Sequence, residues 1–295
     1  MKAGDGMLRF TKMHGIGNDY VYINAFTETL PADGDLPELA RRMSHRRFGC
    51  GSDGMILNMP SDKADFRMRM FNSDGSESEM CGNGIRCVAA YCHDRGLTEK
   101  TAFDIESGGK LKHMQLTLDG EGRTALVRVD MGAPVTDGFS IPSVFKGDPI
   151  RMQPLKALDK TWPLTLVNMG NPHAVTFVED TAKAPVTTVG PVLERDLAFP
   201  RKCNIEFVHV VDRAHIEMRV WERGAGETMA CGTGACASMV ASALNGFIDR
   251  KAEVKLLACT LTVEWSEADG HVYMTGPAAF VYDGVWLGAS ALPPL

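Results

Sequence analysis

Residues 67–96 read RMRMFNSDGSESEMCGNGIRCVAAYCHDRG, and residues 217–246 read EMRVWERGAGETMACGTGACASMVASALNG. At a constant offset of 150, Arg69 falls on Arg219, Phe71 on Trp221, Glu77 on Glu227 and Cys81 on Cys231. Gly82, Gly84 and Gly96 fall on Gly232, Gly234 and Gly246. Each copy reads as a strand, a polar loop, Cys-Gly-x-Gly and a helix of small residues. A loose echo at an offset of 153 relates Gly17-Asn18 to Gly170-Asn171, each followed shortly by a valine, Val21 and Val175. Two halves with the same order of strands around one helix indicate an internal duplication.

The rest of the chain fits that frame. Leu8–Met13 and Tyr20–Asn24 read as strands around the turn HGIGND, and DGDLPELARRMSHRRFG reads as a helix. In that helix Asp35 is placed to cap, Glu38 to complete a capping box, and Gly49 to end it. Residues 49–54, GCGSDG, match G-x-G-x-x-G literally, but a helix precedes them and a strand follows, so they predict a turn rather than a nucleotide site. Ile85, Val88, Ala89 and Cys92 keep helical spacing in the first copy, as do Ala235, Cys236, Met239, Val240 and Ala243 in the second. Further strands fill 101–130, and a Gly- and Pro-rich stretch at 131–150 carries the chain across a boundary near residue 130. A helix is expected at 187–196, and mostly strand after residue 250.

A chain of 295 residues with 44% hydrophobic and 23% charged residues can bury one large core or two ordinary ones. A formal net charge of −6 offers no basic footprint for nucleic acid or anionic membrane. MKAGDGMLRF lacks the apolar run of a secretory signal, and no stretch has the length of a membrane span, so the expected location is the cytoplasm. None of the eight cysteines forms a CxxC pair, which argues against a structural zinc site.

In each copy the cysteine stands at a helix start, followed by two glycines that let backbone N–H groups approach a ligand. A helix N-terminus stabilises an anion by up to about 2 kcal/mol, which lowers a thiol near 8.5 by roughly one unit. The same N–H groups can hold a carboxylate. A cysteine hydrolase needs one thiolate and an oriented histidine, so its second matched cysteine would be idle. Inversion at a carbon needs a base on one face and an acid on the other, which two equivalent cysteines supply. Spacing alone leaves open that Cys-Gly-x-Gly merely starts two tightly packed helices.

MHGIGNDY, FNSDGSESEMCGNGIRC, NMGNPHAV, ERGAGETMACGTGAC and YMTGPA, in that order from residue 8 to 286, resemble the diaminopimelate epimerase family. The resemblance implies an α/β (α+β) protein of two pseudo-symmetric domains, each a mixed, barrel-like β-sheet wrapped around a central helix. It implies an N-terminal domain of residues 1–130 completed by strands of 277–295, a C-terminal domain of 131–276, and an active site in the interdomain cleft. The implied activity is cofactor-independent interconversion of L,L- and meso-2,6-diaminopimelate, in lysine and peptidoglycan-precursor synthesis. The expected partner is this small amino acid, with no metal, no nucleic acid and no membrane; a homodimer is in keeping with the family.

By the same resemblance Cys81 and Cys231 are the acid–base thiols, and His173 and Glu222 tune their protonation. Gly82, Asn83, Gly232 and Thr233 supply backbone donors to the substrate carboxylate. Asn18, Asn72, Asn171, Asn204, Glu222 and Arg223 contact substrate. One position departs from the pattern: where many members carry Asp-Gln, with the glutamine on substrate, this chain has Asp53-Gly54. That keeps two other readings open, a racemase of another amino acid such as histidine, and a non-catalytic amino-acid-binding protein.

Overall fold

A computed structural model describes residues 7–78 and 81–288. Glu79 and Met80 of the first motif, the segment MKAGDG and residues 289–295 lie outside the described residues. The chain divides into two compact units, one of residues up to Val129 together with those from Pro277 onward, the other of Asp130–Gly276.

The first unit contains β1 (Leu8–Gly15), β2 (Asn18–Asn24), α1 (Leu36–Ser44), β3 (Gly54–Met59), β4 (Phe66–Asn72), β5 (Glu77–Ser78), α2 (Gly82–Asp94), β6 (Ala102–Ser107), β7 (Lys110–Leu118) and most of β8 (Thr124–Gly132), which runs on past Val129. The second contains β9 (Gln153–Ala157), β10 (Lys160–Asn168), β11 (Pro172–Phe177), α3 (Val186–Glu194), β12 (Asn204–Asp212), β13 (His215–Glu222), β14 (Gly226–Glu227), α4 (Gly232–Leu244), β15 (Lys251–Lys255), β16 (Thr260–Trp265) and β17 (Val272–Gly276). The last strand, β18 (Ala279–Trp286), belongs to the first unit.

The pairings repeat. In the first unit the order is β18-β1-β2-β3-β4-β6-β7-β8, antiparallel except at β2–β3 and β4–β6. In the second it is β9-β10-β11-β12-β13-β15-β16-β17, antiparallel except at β11–β12 and β13–β15. The parallel pairs fall at the same two places, and β9 holds the edge that β18 holds in the other unit. Register then fixes the equivalences. Tyr20 faces Gly54 as His173 faces Asn204, and Tyr22 faces Ile56 as Val175 faces Glu206.

Each central helix is wrapped. In α4 every residue from Ala235 to Ser242 is buried, and the helix touches β10, β11, β12, β13, β15, β16 and β17. A helix without a wet face has to be enclosed, and its Ala, Ser and Cys side chains let the strands come close. In α2 all residues from Gly82 to Cys92 are buried, including Arg86. Arg86 survives there because its guanidinium donates to the carbonyls of Gly82 and Pro277 and to Asn83 Oδ1, at 3.1, 3.2 and 3.1 Å. Outside each sheet, α1 buries Leu36, Ala40 and Met43 and α3 buries Val186, Val189 and Leu193.

Two expectations for α1 fail. Asp35 makes no side-chain cap, because a short 3-10 turn at Asp33–Asp35 leads into the helix with Asp35 already in the right-handed helical region. Glu38 instead pairs with Arg41 at 2.9 Å, one turn along the same face. The helix ends at Ser44, and Gly49 folds back over its end, where a Cβ would stand 2.1 Å from the Arg42 carbonyl oxygen.

Candidate active site

Both cysteines are N-caps of their helices, in extended backbone. Cys81 Sγ accepts from the N–H of Gly84 at 3.3 Å, and Cys231 Sγ from the N–H of Gly234 at 3.4 Å. Sulfur thus takes the place that a serine or aspartate oxygen usually holds, answering one of the unpaired N–H groups of the first turn. The polar loop before each cysteine is strapped by the repeated arginine and glutamate. Arg69 holds Glu77 through two N–H donors at 2.8 and 3.0 Å, and Arg219 holds Glu227 the same way at 2.7 and 3.1 Å. The sequence identities at these positions therefore belong to loop geometry, and the paired forks are stiff enough to hold it.

In the first unit, Asn18 Nδ2 donates to Asp53 Oδ2 at 2.8 Å, and Cys81 Sγ lies 3.2 Å from Asn18 Oδ1. An ionised carboxylate only accepts, so Asp53 fixes the amide with its oxygen toward the thiol. Arg46 anchors Asp53 from behind at 2.8 Å. Asn72 donates to Ser76 Oγ at 3.0 Å, within its own turn. Asn83 is buried, and its carboxamide oxygen is the acceptor for Arg86.

Gly54 has a steric explanation. A Cβ there would stand 2.1 Å from the Phe71 carbonyl oxygen and 2.6 Å from Tyr20 Cε1. The ring of Tyr20 occupies the room that a side chain at position 54 would need.

In the second unit, His173 is completely buried, with Nδ1 2.6 Å from Glu206 Oε1 and Nε2 2.9 Å from Asn171 Oδ1. Asn204 Oδ1 accepts from the backbone N–H of Arg223 at 2.8 Å, and its amide nitrogen lies 3.5 Å from His173 Nδ1. Glu222 accepts from the Thr228 hydroxyl, and Arg223 reaches the Arg201 carbonyl at 3.1 Å. Thr233 Oγ1 lies 3.5 Å from Cys231 Sγ. A cavity of about 440 Å³ opens here, lined among others by Asn168, Asn171, Arg201 and Arg223, with no carboxylate on its wall. Its lining suits an anionic group.

Two buried carboxylates beside the site escaped the sequence reading. Glu194, 2% exposed, accepts from Trp221 Nε1 at 2.9 Å and the N–H of Gly224 at 3.1 Å, so α3 holds the turn that carries Glu222 and Arg223. Glu206 is the other. The lowered thiol expected at both helix starts is overturned at Cys231. Burial, then the charges of Glu222 and Glu206, push its thiol well above the ordinary range. Desolvation of a nearly enclosed sulfur outweighs the helix terminus.

A family model for diaminopimelate epimerase matches residues 10–136 and 165–281. The chain is 56% identical over 277 residues to a diaminopimelate epimerase of Moorella thermoacetica, covering 94% of this chain and 98% of that one. It is 52% identical over 277 residues, with the same coverage, to one of Acetivibrio thermocellus. The chain belongs to the diaminopimelate epimerase family. It is an isomerase, a cysteine-based epimerase that works without pyridoxal phosphate. Its fold is shared more widely: a hydroxyproline epimerase of Agrobacterium vitis superposes with a TM-score of 0.67 at 13% identity, over 97% of this chain and 93% of that one. Among the described residues no three His, Cys, Asp or Glu side chains are grouped to hold a metal ion, and no helix is long and apolar enough to cross a membrane.

Proposed function

We propose that this chain interconverts L,L- and meso-2,6-diaminopimelate by a two-base mechanism, as part of lysine and peptidoglycan-precursor synthesis. The observation that carries the reading is the pair of equivalent half-sites, each a sulfur at the N-cap of a wrapped helix. Relatives covering 94% of the chain carry this activity in their names.

The reaction assigns each part a task. One thiolate takes the α-proton, leaving an electron pair delocalised into the carboxylate, and the opposite thiol delivers its proton to the other face. The carbon ends inverted, and the proton count on the two sulfurs is exchanged. This requires one sulfur on each face of the α-carbon. The carboxylate at the reacting carbon is received by backbone N–H groups at Gly82-Asn83 and Gly232-Thr233, where developing charge is stabilised without reorganisation. Asn18, Asn72, Asn171 and Asn204 orient the zwitterionic ends, with His173 and Glu222 tuning the thiols. Arg223 and Asn171, on the wall of the second unit's cavity, suit the distal carboxylate, and Glu222 an ammonium. Gly54 leaves this chain without the glutamine contact, at a place where a Cβ would already meet the Phe71 carbonyl oxygen at 2.1 Å and Tyr20 Cε1 at 2.6 Å.

The test is α-proton exchange in heavy water with the full chain and either diaminopimelate isomer, run beside L-histidine. Deuterium should enter diaminopimelate with inversion. Exchange confined to histidine would overturn the substrate. Cys231→Ser should abolish inversion, and undiminished inversion in that variant would remove the two-base account.

A further inference from the structure

The duplicated scaffold contains its own control. Across from the second glycine of Cys-Gly-x-Gly, the first unit places Ile56: a Cβ on Gly84 would stand 2.7 Å from Ile56 Cδ1 and 3.5 Å from Cys81 Sγ. The second unit places Glu206 at the equivalent register, and a Cβ on Gly234 would stand 3.0 Å from Glu206 Oε1 and 3.2 Å from Cys231 Sγ. Next to them, Tyr20 in the first unit is answered by His173 in the second. The fold therefore closes this pocket with an aromatic and an aliphatic residue in one copy. In the other it uses two ionisable groups, both 0% exposed. Packing does not demand that substitution. It is also costly, because Glu206 Oε2 has no hydrogen-bond partner among the described residues.

We propose that Glu206 is a positioning residue that, through His173 and across the bare side of Gly234, keeps the proton on Cys231. It orients His173 by taking Nδ1, which directs Nε2 to Asn171 on the cavity wall. It also sets a carboxylate oxygen against the same glycine as the sulfur, so deprotonation of Cys231 would bring a second negative charge into a buried cluster. The groups facing that sulfur are Glu206 from β12 with His173 of β11 behind it, Glu222 at the end of β13, and Thr233 and the Gly234 N–H on its own helix. The first unit sets Ile56, not a carboxylate, against the glycine that answers Gly234, and there the Cys81 thiol donates to the Asn18 carboxamide oxygen at 3.2 Å.

This rests on the two-base reading only in treating both sulfurs as acid–base groups, and its test needs no substrate. The full chain labelled with ¹³C at cysteine Cβ, with signals assigned by Cys81→Ser and Cys231→Ser, reports each thiol titration directly. In the unsubstituted chain Cys231 should titrate above the ordinary thiol range near 8.5. In Glu206→Gln the Cys231 midpoint should fall by about one pH unit, a tenfold rise in its thiolate fraction at fixed lower pH, with Cys81 unmoved. A purely structural Glu206 would lower the melting temperature and leave the Cys231 midpoint in place, which overturns the proposal. If Glu206→Gln does not fold, the unsubstituted chain still decides, since Cys231 titrating at or below the ordinary thiol range near 8.5 refutes it.

Discussion

Gly15 ends β1 directly against the start of the first cysteine helix, and Gly15→Ala tests whether that approach positions the half-site. The added Cβ would stand 2.6 Å from the Asn83 carbonyl oxygen, 3.0 Å from its carbon and 3.1 Å from its Cα. Ordinary contact begins near 3.4 Å, and the opposing atoms are all backbone, so no side chain can swing away. Either β1 or the first turn of α2 has to retreat by the better part of an ångström. Overpacking of this kind costs about 1–3 kcal/mol, and for a unit of this size each kcal/mol lowers the melting temperature by roughly 2–4 °C. The functional loss should be larger in proportion. Gly82 and Asn83 sit in that turn, and a misplacement near 1 Å at a site of chemistry costs on the order of 100-fold. Gly96→Ala is the control. Gly96 has φ +71 with nothing within 4 Å, so alanine there meets only the left-handed backbone penalty of about 1–2 kcal/mol, far from the sulfur. Thermal unfolding and the rate of α-proton exchange should separate the two: both variants melt earlier, and only Gly15→Ala loses turnover. Equal turnover in the two would refute the argument that this contact places the helix start.

Two further predictions concern other buried positions. Gly54→Gln, which writes in the side chain found in other family members, should lower the melting temperature and fail to improve turnover, because Tyr20 and the Phe71 carbonyl hold that space; a gain in kcat/KM would contradict this. Burial pushes the Cys87 thiol up to about 11, so the folded state binds that proton more tightly than the unfolded chain. Its contribution is then intact below the unfolded thiol's range near 8.5 and is lost as pH rises toward 11, roughly 2–3 kcal/mol in all. Cys87→Ala should show a shallower fall in urea-measured stability between pH 9 and 11, and parallel curves would count against the assignment.

What could be read from the sequence followed from repetition at a fixed offset. Cys81 and Cys231, the glycines after them and the Arg69–Glu77 and Arg219–Glu227 straps all sit in the segment that duplicates without a gap. That segment placed both central helices. Outside it the repeat is shifted by insertions, so β9 and β18 hold equivalent edges with nothing in the letters to align them. Glu206 was hidden for a different reason. In NIEFVHVVD a glutamate between two apolar residues looks like the wet face of an alternating strand, whereas β12 is buried on both faces as far as Val208. Only the pairing of β11 with β12 brings it to His173. The high thiol at Cys231 was likewise illegible, because a helix terminus is a local feature and desolvation depends on the strands that close over it.

The buried His173–Glu206 pair also allows a stability argument that the first unit makes sharp. Removing one member of a buried hydrogen-bonded pair leaves its partner unsatisfied at a cost of about 1–3 kcal/mol, whereas replacing both by apolar groups of the same shape can be nearly neutral or stabilising. The contact of 2.6 Å at 0% exposure on both sides places this pair in that class, and Ile56 shows that the scaffold accepts an aliphatic side chain at the equivalent place. Glu206→Ile alone should therefore lose stability, since His173 Nδ1 is left without its carboxylate. His173→Leu alone should lose it too, through a bare buried carboxyl. The double variant should recover to at least the unsubstituted chain while remaining inactive in α-proton exchange. Urea unfolding of the four chains completes the cycle, and strictly additive losses would show that the two residues are held for packing and not for one another.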